Sequence, residues 1–216
     1  MKNLKLESAR LLILGGGGHA ASIIDVLKAS GCQLLGYTDL TDYGKICDVP
    51  YLGKDNVIKQ EFPDADLIIG VTYAKTPKDM SLRFQLINRY CHDFNFPFIL
   101  STTSIIADDL IIKEGSVVMH RAVIGPRVVM GAYDLINTSA VLEHDCRIGD
   151  HVVVSSGATI GGGVVIGNKT FVGLGAVVID GVEIGDDCII GAGAVVTCSV
   201  PDGMAALGVP AKIEPR

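Results

Sequence analysis

From Leu100 to Val196 every sixth residue is aliphatic or Met, without a slip: Leu100, Ile106, Ile112, Val118, Ile124, Met130, Ile136, Leu142, Ile148, Val154, Ile160, Ile166, Val172, Val178, Ile184, Ile190 and Val196. The residue two places before each is mostly small or β-branched, as at Ala122, Ala140, Cys146, Val152, Ala158, Thr170, Ala176 and Ala194. The residue after is Gly in eight of the seventeen cases. An α-helix has a period of 3.6 and cannot keep a six-residue rhythm, and the strands of an ordinary sandwich hold no such fixed spacing.

A short fixed period of this kind marks a hexapeptide β-helix, in which each hexad makes one side of a triangular prism and three hexads complete a coil. The large aliphatic and the small residue point inward, and the Gly is expected to take turn conformations that a Cβ would penalise. Seventeen hexads make between five and six coils, a prism roughly 25–30 Å long at a strand spacing of about 4.8 Å. After Val196 the rhythm fails at Pro201-Asp202, and the tail through Gly208-Val209-Pro210-Ala211-Lys212 reads as too irregular to continue a coil and as a cap on the open end. The expected fold is α/β plus β-solenoid. A small Rossmann-like βαβ domain spans 1–97, and a left-handed parallel β-helix with its C-terminal cap spans 98–216.

Composition narrows the function. The net charge is −6, with Lys and Arg scattered, so nothing attracts nucleic acid or anionic lipid by bulk electrostatics. None of the six cysteines forms a C-x-x-C pair, and Cys146 and Cys188 fall on the small inward register, where a thiol acts as a compact apolar filler. Reduced cysteines point to the cytoplasm. The apolar run Leu11-Leu12-Ile13-Leu14 stops at a Gly cluster and reaches Asp25, unlike a signal peptide. No run approaches the ~20 apolar residues of a membrane helix.

Ahead of the prism, Leu11 to Leu14 reads as a buried parallel strand, Gly15 to Gly18 as a turn, Ala20 to Ala29 as a helix and Leu34 to Tyr37 as a second strand ending at Asp39. Gly15-x-Gly17-x-x-Ala20 with Asp39 about twenty residues on resembles the dinucleotide fingerprint. One more strong strand (Leu67 to Val71) precedes the prism, which suits a mononucleotide or nucleotide sugar better than a dinucleotide. The other reading of the glycines is a tight turn with no ligand. Residues 78–94 read as a helix with Met80, Phe84, Ile87 and Cys91 on one face, and Thr72 to Lys78 as a polar loop at the carboxyl end of the third strand.

Of five histidines (His19, His92, His120, His144, His151), His144 stands out, in Glu143-His144-Asp145 between inward registers 142 and 146. It is expected to face outward from a corner. Coils are eighteen residues apart, so this triplet lies beside Gly161-Gly162-Gly163 on the next coil. An imidazole beside bare backbone supplies a general base and an N–H for a developing oxyanion, the parts acyl transfer needs. The plainer alternative is a solvated surface His beside a glycine turn.

The Ile/Val-Gly hexads, the terminal Val-Pro…Gly-Val-Pro-Ala-Lys and the segment from Asn137-Thr138 to Glu143-His144-Asp145-Cys146 resemble the hexapeptide acyltransferases. Together with Gly15-Gly16-Gly17-Gly18-His19 they resemble, over essentially the whole chain, the subfamily of bacterial nucleotide-aminosugar N-acetyltransferases and related sialic acid O-acetyltransferases. The resemblance implies a cytoplasmic enzyme of bacterial glycan biosynthesis that moves acetyl from acetyl-CoA to the amine of a nucleotide-linked amino sugar, a 4-amino-deoxy sugar being the favoured acceptor. No metal and no covalent intermediate are implied.

By that resemblance His144 is the general base and Asp145 the acidic neighbour that raises its basicity. The Gly162 N–H, placed by stacking, would hold the oxyanion. Gly17, Gly18, His19, Asp39 and Asn137 would contact the substrate, and acetyl-CoA would run along Leu174 and Ala192. These last two are eighteen apart and so share a column, whereas 174 and 144 differ by thirty and lie on different corners. A groove between neighbouring prisms joins such corners, in agreement with the family's homotrimer.

The chain departs from the family at two places. Val153 stands nine residues after His144, where some members carry a second His near the cofactor, and Thr72-Tyr73 replaces the family's Gly-Asn. Rival readings are O-acetylation of a sialic acid-type sugar, a non-catalytic nucleotide-sugar scaffold, a histidine metal site of the kind found in prism carbonic anhydrases, and NAD-dependent redox chemistry.

Overall fold

The computed structural model describes residues 9–72 and 77–216, and the side chains of all of these except 77–81. The chain divides into two compact units between Pro97 and Phe98.

The first unit is built on a parallel sheet. Strand β1 (Leu11–Leu14) lies between β2 (Leu34–Thr38) and β4 (Asp66–Ile69), with β3 (Tyr51–Gly53) on the outer edge of β2. All four β1 residues are fully buried, as a central parallel strand requires. Helix α1 (Gly18–Ala29) follows β1, and α2 (Ile58–Glu61) and α3 (Pro77–Tyr90) follow later. Helix α1 begins two residues earlier than its apolar spacing suggests, inside the glycine cluster. The edge strand β3, only three residues long, escapes a reading that looks for apolar runs.

The buried face of α3 is also rotated from the expected one. Arg83, Leu86, Ile87 and Tyr90 are buried, while Phe84 and Cys91 are only half-buried, and Met80 lies outside the described side chains. Arg83 is the largest fully buried side chain among those described. Its Nη1 donates to the Val71 carbonyl at 2.9 Å, just beyond β4.

The second unit is the prism. Each residue of the six-residue rhythm except Ile112 closes a two-residue strand. Pairs such as Leu135 with Val153, Val141 with Thr159 and Arg147 with Val165 fix the coil at eighteen residues in parallel register. The first face runs from Ile99–Leu100 through Val117–Val118, Leu135–Ile136, Val153–Val154 and Phe171–Val172 to Ile189–Ile190. The second runs from Ile105–Ile106 through Val123–Ile124, Val141–Leu142, Thr159–Ile160 and Val177–Val178 to Val195–Val196. The third holds Val129–Met130, Arg147–Ile148, Val165–Ile166 and Glu183–Ile184, with isolated bridges from Ile111 and Val200 at its ends. The rhythm's aliphatics and the small residues two places before them form one buried core. Burying an Ile, Leu or Val stabilises the fold by about 1.5–3 kcal/mol each.

Two expectations about the prism need correction. The glycines directly after the aliphatics do not make the turns. The left-handed residue comes two places later, whether glycine (Gly163, φ 66°) or not (Arg127, φ 59°; Asp145, φ 63°). The glycine directly after the aliphatic is needed for close approach between coils: a Cβ on Gly125 would stand 2.8 Å from the His144 nitrogen, and one on Gly173 2.5 Å from that of Ala192. The tail also extends the prism before capping it. Val200 bridges Ile184, Ala205 and Ala206 of Met204–Leu207 pair with Ile189 and Ile190, and Lys212–Pro215 then turns back antiparallel.

Candidate active site

His144 stands where Leu142 ends its strand and the chain turns from the second face to the third. Asp145 takes the left-handed conformation and donates its N–H to the Pro126 carbonyl at 3.0 Å on the preceding coil. His144 carries its imidazole outward, with 58% of the side chain exposed.

Asp145 Oδ2 lies 2.8 Å from His144 Nδ1. The carboxyl is held well below the usual carboxylate range, first by hydrogen bonds from Arg127 and then by His144. An ionised carboxylate only accepts, so Nδ1 is the donor, and in the neutral imidazole that tautomer leaves the lone pair on Nε2. Arg127 grips the same carboxylate with both arms, Nε to Oδ1 at 2.6 Å and Nη2 to Oδ2 at 2.8 Å. Arg127 is eighteen residues before Asp145, so the stacking step that pairs His144 with Gly162 also leads to it when taken backwards.

Gly162 lies against the imidazole: a Cβ there would stand 2.7 Å from His144 Nε2 and Cε1. The next residue ties the two coils together, Gly163 N–H to the His144 carbonyl at 2.8 Å. The Gly162 N–H, expected to be open for an oxyanion, is instead donated to Asp180 Oδ1 at 2.7 Å. The reason is a capping rule of the corners. On the third-to-first corner each coil's N–H meets an Asp or Asn oxygen one coil on: Ala132 to Asp150 at 2.9 Å, Asp150 to Asn168 at 2.8 Å, Asn168 to Asp186 at 2.6 Å. Asp180 caps Gly162 in the same way. Gly162 has no side chain to cap His144, whose own N–H has no acceptor among the described residues.

The corner between the first and second faces lacks such caps. Ser156, Leu174 and Ala192 are eighteen apart, and their N–H groups have no acceptor among the described residues. Leu174 is 60% exposed. The result is an exposed column of donors spaced by the coil rise, suited to an extended ligand that carries amide carbonyls. The sequence signal for Ser156 is the absence of Asp or Asn at 174 and 192, the two positions that follow it in the column. Asn137 sits on this corner too, its Oδ1 accepting the Thr138 N–H at 2.8 Å. The prism therefore brings together His144, Asp145 and Gly162 on one corner and Asn137, Leu174 and Ala192 on another. Val153 is buried in a strand of the first face.

In the first unit Gly17, Gly18, His19 and Asp39 gather at the carboxyl ends of β1 and β2 and the start of α1, where ligands of such sheets bind. The four glycines divide into two kinds. Gly15 (φ 103°) and Gly16 are demanded by the fold: a Cβ on the first would stand 2.7 Å from Val71 Cγ2, and on the second 2.5 Å from Tyr37 Cε2. A Cβ on Gly17 or Gly18 would meet nothing within 4 Å. That open space lies at the N-terminus of a twelve-residue helix with no acidic residue in its first turn, a setting that favours phosphate.

Asp39 braces the turn, Oδ2 accepting the Gly16 N–H at 2.7 Å and Oδ1 the Thr41 N–H at 3.0 Å. The ribose contact expected of it would have to be shared with this bracing. His19 is half-buried. Burial and the nearby Arg83 guanidinium pull its imidazole down to about 3, so it stays neutral at physiological pH. In the sequence Arg83 reads as a solvent-facing charge on an apolar helix, whereas the fold buries it. Residues 73–76 of the expected Thr72 to Lys78 loop lie outside the described residues.

Elsewhere, His120 Nδ1 is bonded to Ser101 Oγ at 2.6 Å and Thr103 Oγ1 at 2.8 Å, and His151 stacks on Tyr133 with ring centroids 5.3 Å apart. Cys146 and Cys188 are fully buried fillers, and burial pushes the Cys146 thiol up to about 11. Among the described residues no group of three or more His, Cys, Asp or Glu could hold a metal ion, and no helix is long and apolar enough to cross a membrane.

Two family profiles match the chain: the bacterial transferase hexapeptide (six repeats) over residues 163–198 and the PglD N-terminal domain over residues 10–83. No curated protein matches it in sequence. Among solved structures it is similar to a histidine mutant of perosamine N-acetyltransferase from Caulobacter crescentus, in complex with CoA and GDP-perosamine. The identity is 31%, covering 97% of this chain and 98% of that one, with a TM-score of 0.86. It is also similar to the acetyltransferase domain of PglB from Neisseria gonorrhoeae, at 28% identity, 95% and 99% coverage and a TM-score of 0.87. WeeI from Acinetobacter baumannii, at 24% identity, 96% and 100% coverage and a TM-score of 0.79, shares the fold.

Proposed function

The chain belongs to the hexapeptide-repeat nucleotide-aminosugar N-acetyltransferases, and from that membership we propose that it moves acetyl from acetyl-CoA to the amine of a nucleotide-linked amino sugar, a 4-amino-deoxy sugar being the acceptor. The observation that carries the reading is the His144 corner, with an imidazole whose Nδ1 faces a carboxylate at 2.8 Å and whose Nε2 lies over a bare glycine. The solved relatives bound to CoA and GDP-perosamine, or to acetyl-CoA, support both substrates.

In this mechanism the sugar amine attacks the thioester carbon as His144 Nε2 accepts its proton. The carbon–sulfur bond breaks, and CoA leaves as the thiol once it has taken that proton. Asp145 holds the imidazole in the accepting tautomer. The oxyanion is assigned to the Gly162 N–H, which Asp180 must then surrender, with the uncapped His144 N–H beside it. The donors of Leu174 and Ala192 take the pantetheine amides. Gly17, Gly18 and His19 take the nucleotide diphosphate, Asp39 a ribose hydroxyl and Asn137 a polar group of the sugar.

The catalytic and cofactor corners lie at opposite edges of the second face, whose outward residues Ile105, Val123, Val141, Thr159, Val177 and Val195 form a stripe of branched side chains. That apolar stripe supports a homotrimer in which one prism's His144 corner meets its neighbour's Leu174 corner. Six cysteines, none in a disulfide among the described residues, fit work in the cytoplasm.

The test is thiol release from acetyl-CoA against UDP-, GDP- and dTDP-linked amino sugars, with free sialic acid as a separate arm. Replacing His144 by Ala is expected to lower kcat by about 10²–10⁴. Nearly full kcat in that variant would remove the general-base assignment, and acetylation of sialic acid alone would move the acceptor to a hydroxyl.

A further inference from the structure

We infer that Arg127 is a positioning residue for this reaction: it clamps both oxygens of Asp145, so that Oδ2 stays against His144 Nδ1 and Nε2 is left as the proton-accepting nitrogen. The inference rests on the reading of His144 as the base.

Three residues in one register on consecutive coils build the clamp, Asp109, Arg127 and Asp145, each eighteen from the next. Asp109 Oδ2 accepts the Arg127 backbone N–H at 3.1 Å and so seats the start of the arginine. The guanidinium fork then closes on Asp145 with bonds of 2.6 and 2.8 Å. Oδ2 is shared between Arg127 Nη2 and His144 Nδ1. A half-exposed carboxylate with one partner turns freely about its terminal torsion, which is broad and two-fold. Held by a planar fork at both oxygens, it has one orientation.

The neighbours do not duplicate this. Glu143 precedes the histidine on its own turn and Asp180 lies beyond Gly162, and among the described residues neither bonds to the imidazole or to Asp145. An ordinary exposed ion pair contributes little. This one is distinguished by acting on a second residue rather than on the fold.

The experiment compares Arg127→Met, Arg127→Lys, Asp145→Asn and the Arg127→Met/Asp145→Asn double variant. Arg127→Met is expected to lower kcat about tenfold, with both KM values within about twofold and Tm almost unchanged, since the effect is one of orientation. Lys supplies the charge without the fork and restores only part of kcat. In the Asp145→Asn background the arginine replacement is expected to have no further effect, because its route to His144 is gone. The ¹⁵N spectrum of His144 should pass from a single Nδ1–H tautomer to a mixture in Arg127→Met. Wild-type kcat in Arg127→Met, or an undiminished effect of that change in the Asp145→Asn background, overturns the inference. Nearly full kcat in His144→Ala would instead remove the base itself, so the two failures are distinguishable.

Discussion

The imidazole of His144 fills the space that a side chain at Gly162 would need: a Cβ there would stand 2.7 Å from Nε2. The glycine carries no left-handed backbone, so its bareness serves the histidine rather than the turn. Gly162→Ala should therefore fold normally and displace the ring. A displacement of about 1 Å can cost on the order of 10² in rate. We expect kcat to fall by about that factor with Tm within a few degrees, as measured by thiol release and thermal melting.

Asp180 and the proposed acyl oxygen compete for one N–H. With Asp180→Ala the Gly162 donor is open from the start. A hydrogen bond to a charged group is worth about 1.5–3 kcal/mol, part of which displacement now costs, so a rise of about threefold to tenfold in kcat/KM for acetyl-CoA is expected, with a slightly lower Tm. A fall in kcat at unchanged KM would make Asp180 a support of the corner instead.

The glycine cluster offers a paired test. Gly16→Ala drives a Cβ into Tyr37 and should destabilise the protein by about 1–3 kcal/mol, as overpacking does. Gly17→Ala meets no protein atom and should leave denaturant midpoints alone. If that space holds a nucleotide diphosphate, Gly17→Ala raises KM for the nucleotide sugar and leaves KM for acetyl-CoA unchanged. Unchanged kinetics would reduce the cluster to a turn.

His19 predicts a pH dependence of stability. Its folded value of about 3 lies below the ordinary imidazole value of 6.5, so between those two values the unfolded chain binds the extra proton. Stability then rises with pH across that window and falls as pH drops below 6.5. Denaturant unfolding from pH 7 to pH 4 should show the loss, and His19→Asn should flatten it. Equal slopes in both proteins would mean that the imidazole is better solvated than its surroundings indicate.

The six-residue rhythm read directly because each hexad packs only against its neighbours, so one-dimensional spacing carries three-dimensional position. The same step of eighteen joins His144 to Gly162 and Leu174 to Ala192, and it reaches Arg127 and Asp180 as well. The roles of those two are not legible in the spacing, which says which residues are adjacent and not which hydrogen bonds they choose. The glycines after the aliphatics look like turn residues in the sequence for a related reason: only the distance between stacked coils reveals that they are needed for approach.

The sequence alone determined the prism, its eighteen-residue coil, the outward corner of His144 and the parallel βαβ front end, all of which follow from periodicity and local glycine chemistry. The tertiary structure decided that Asp145 answers to Arg127, that Asp180 occupies the Gly162 N–H, that Arg83 is buried near His19 and that Gly17 and Gly18 face open space. Each of these depends on which of several nearby donors and acceptors pair once the chain is folded. That competition is settled by distances of a few tenths of an ångström, which no residue spacing encodes.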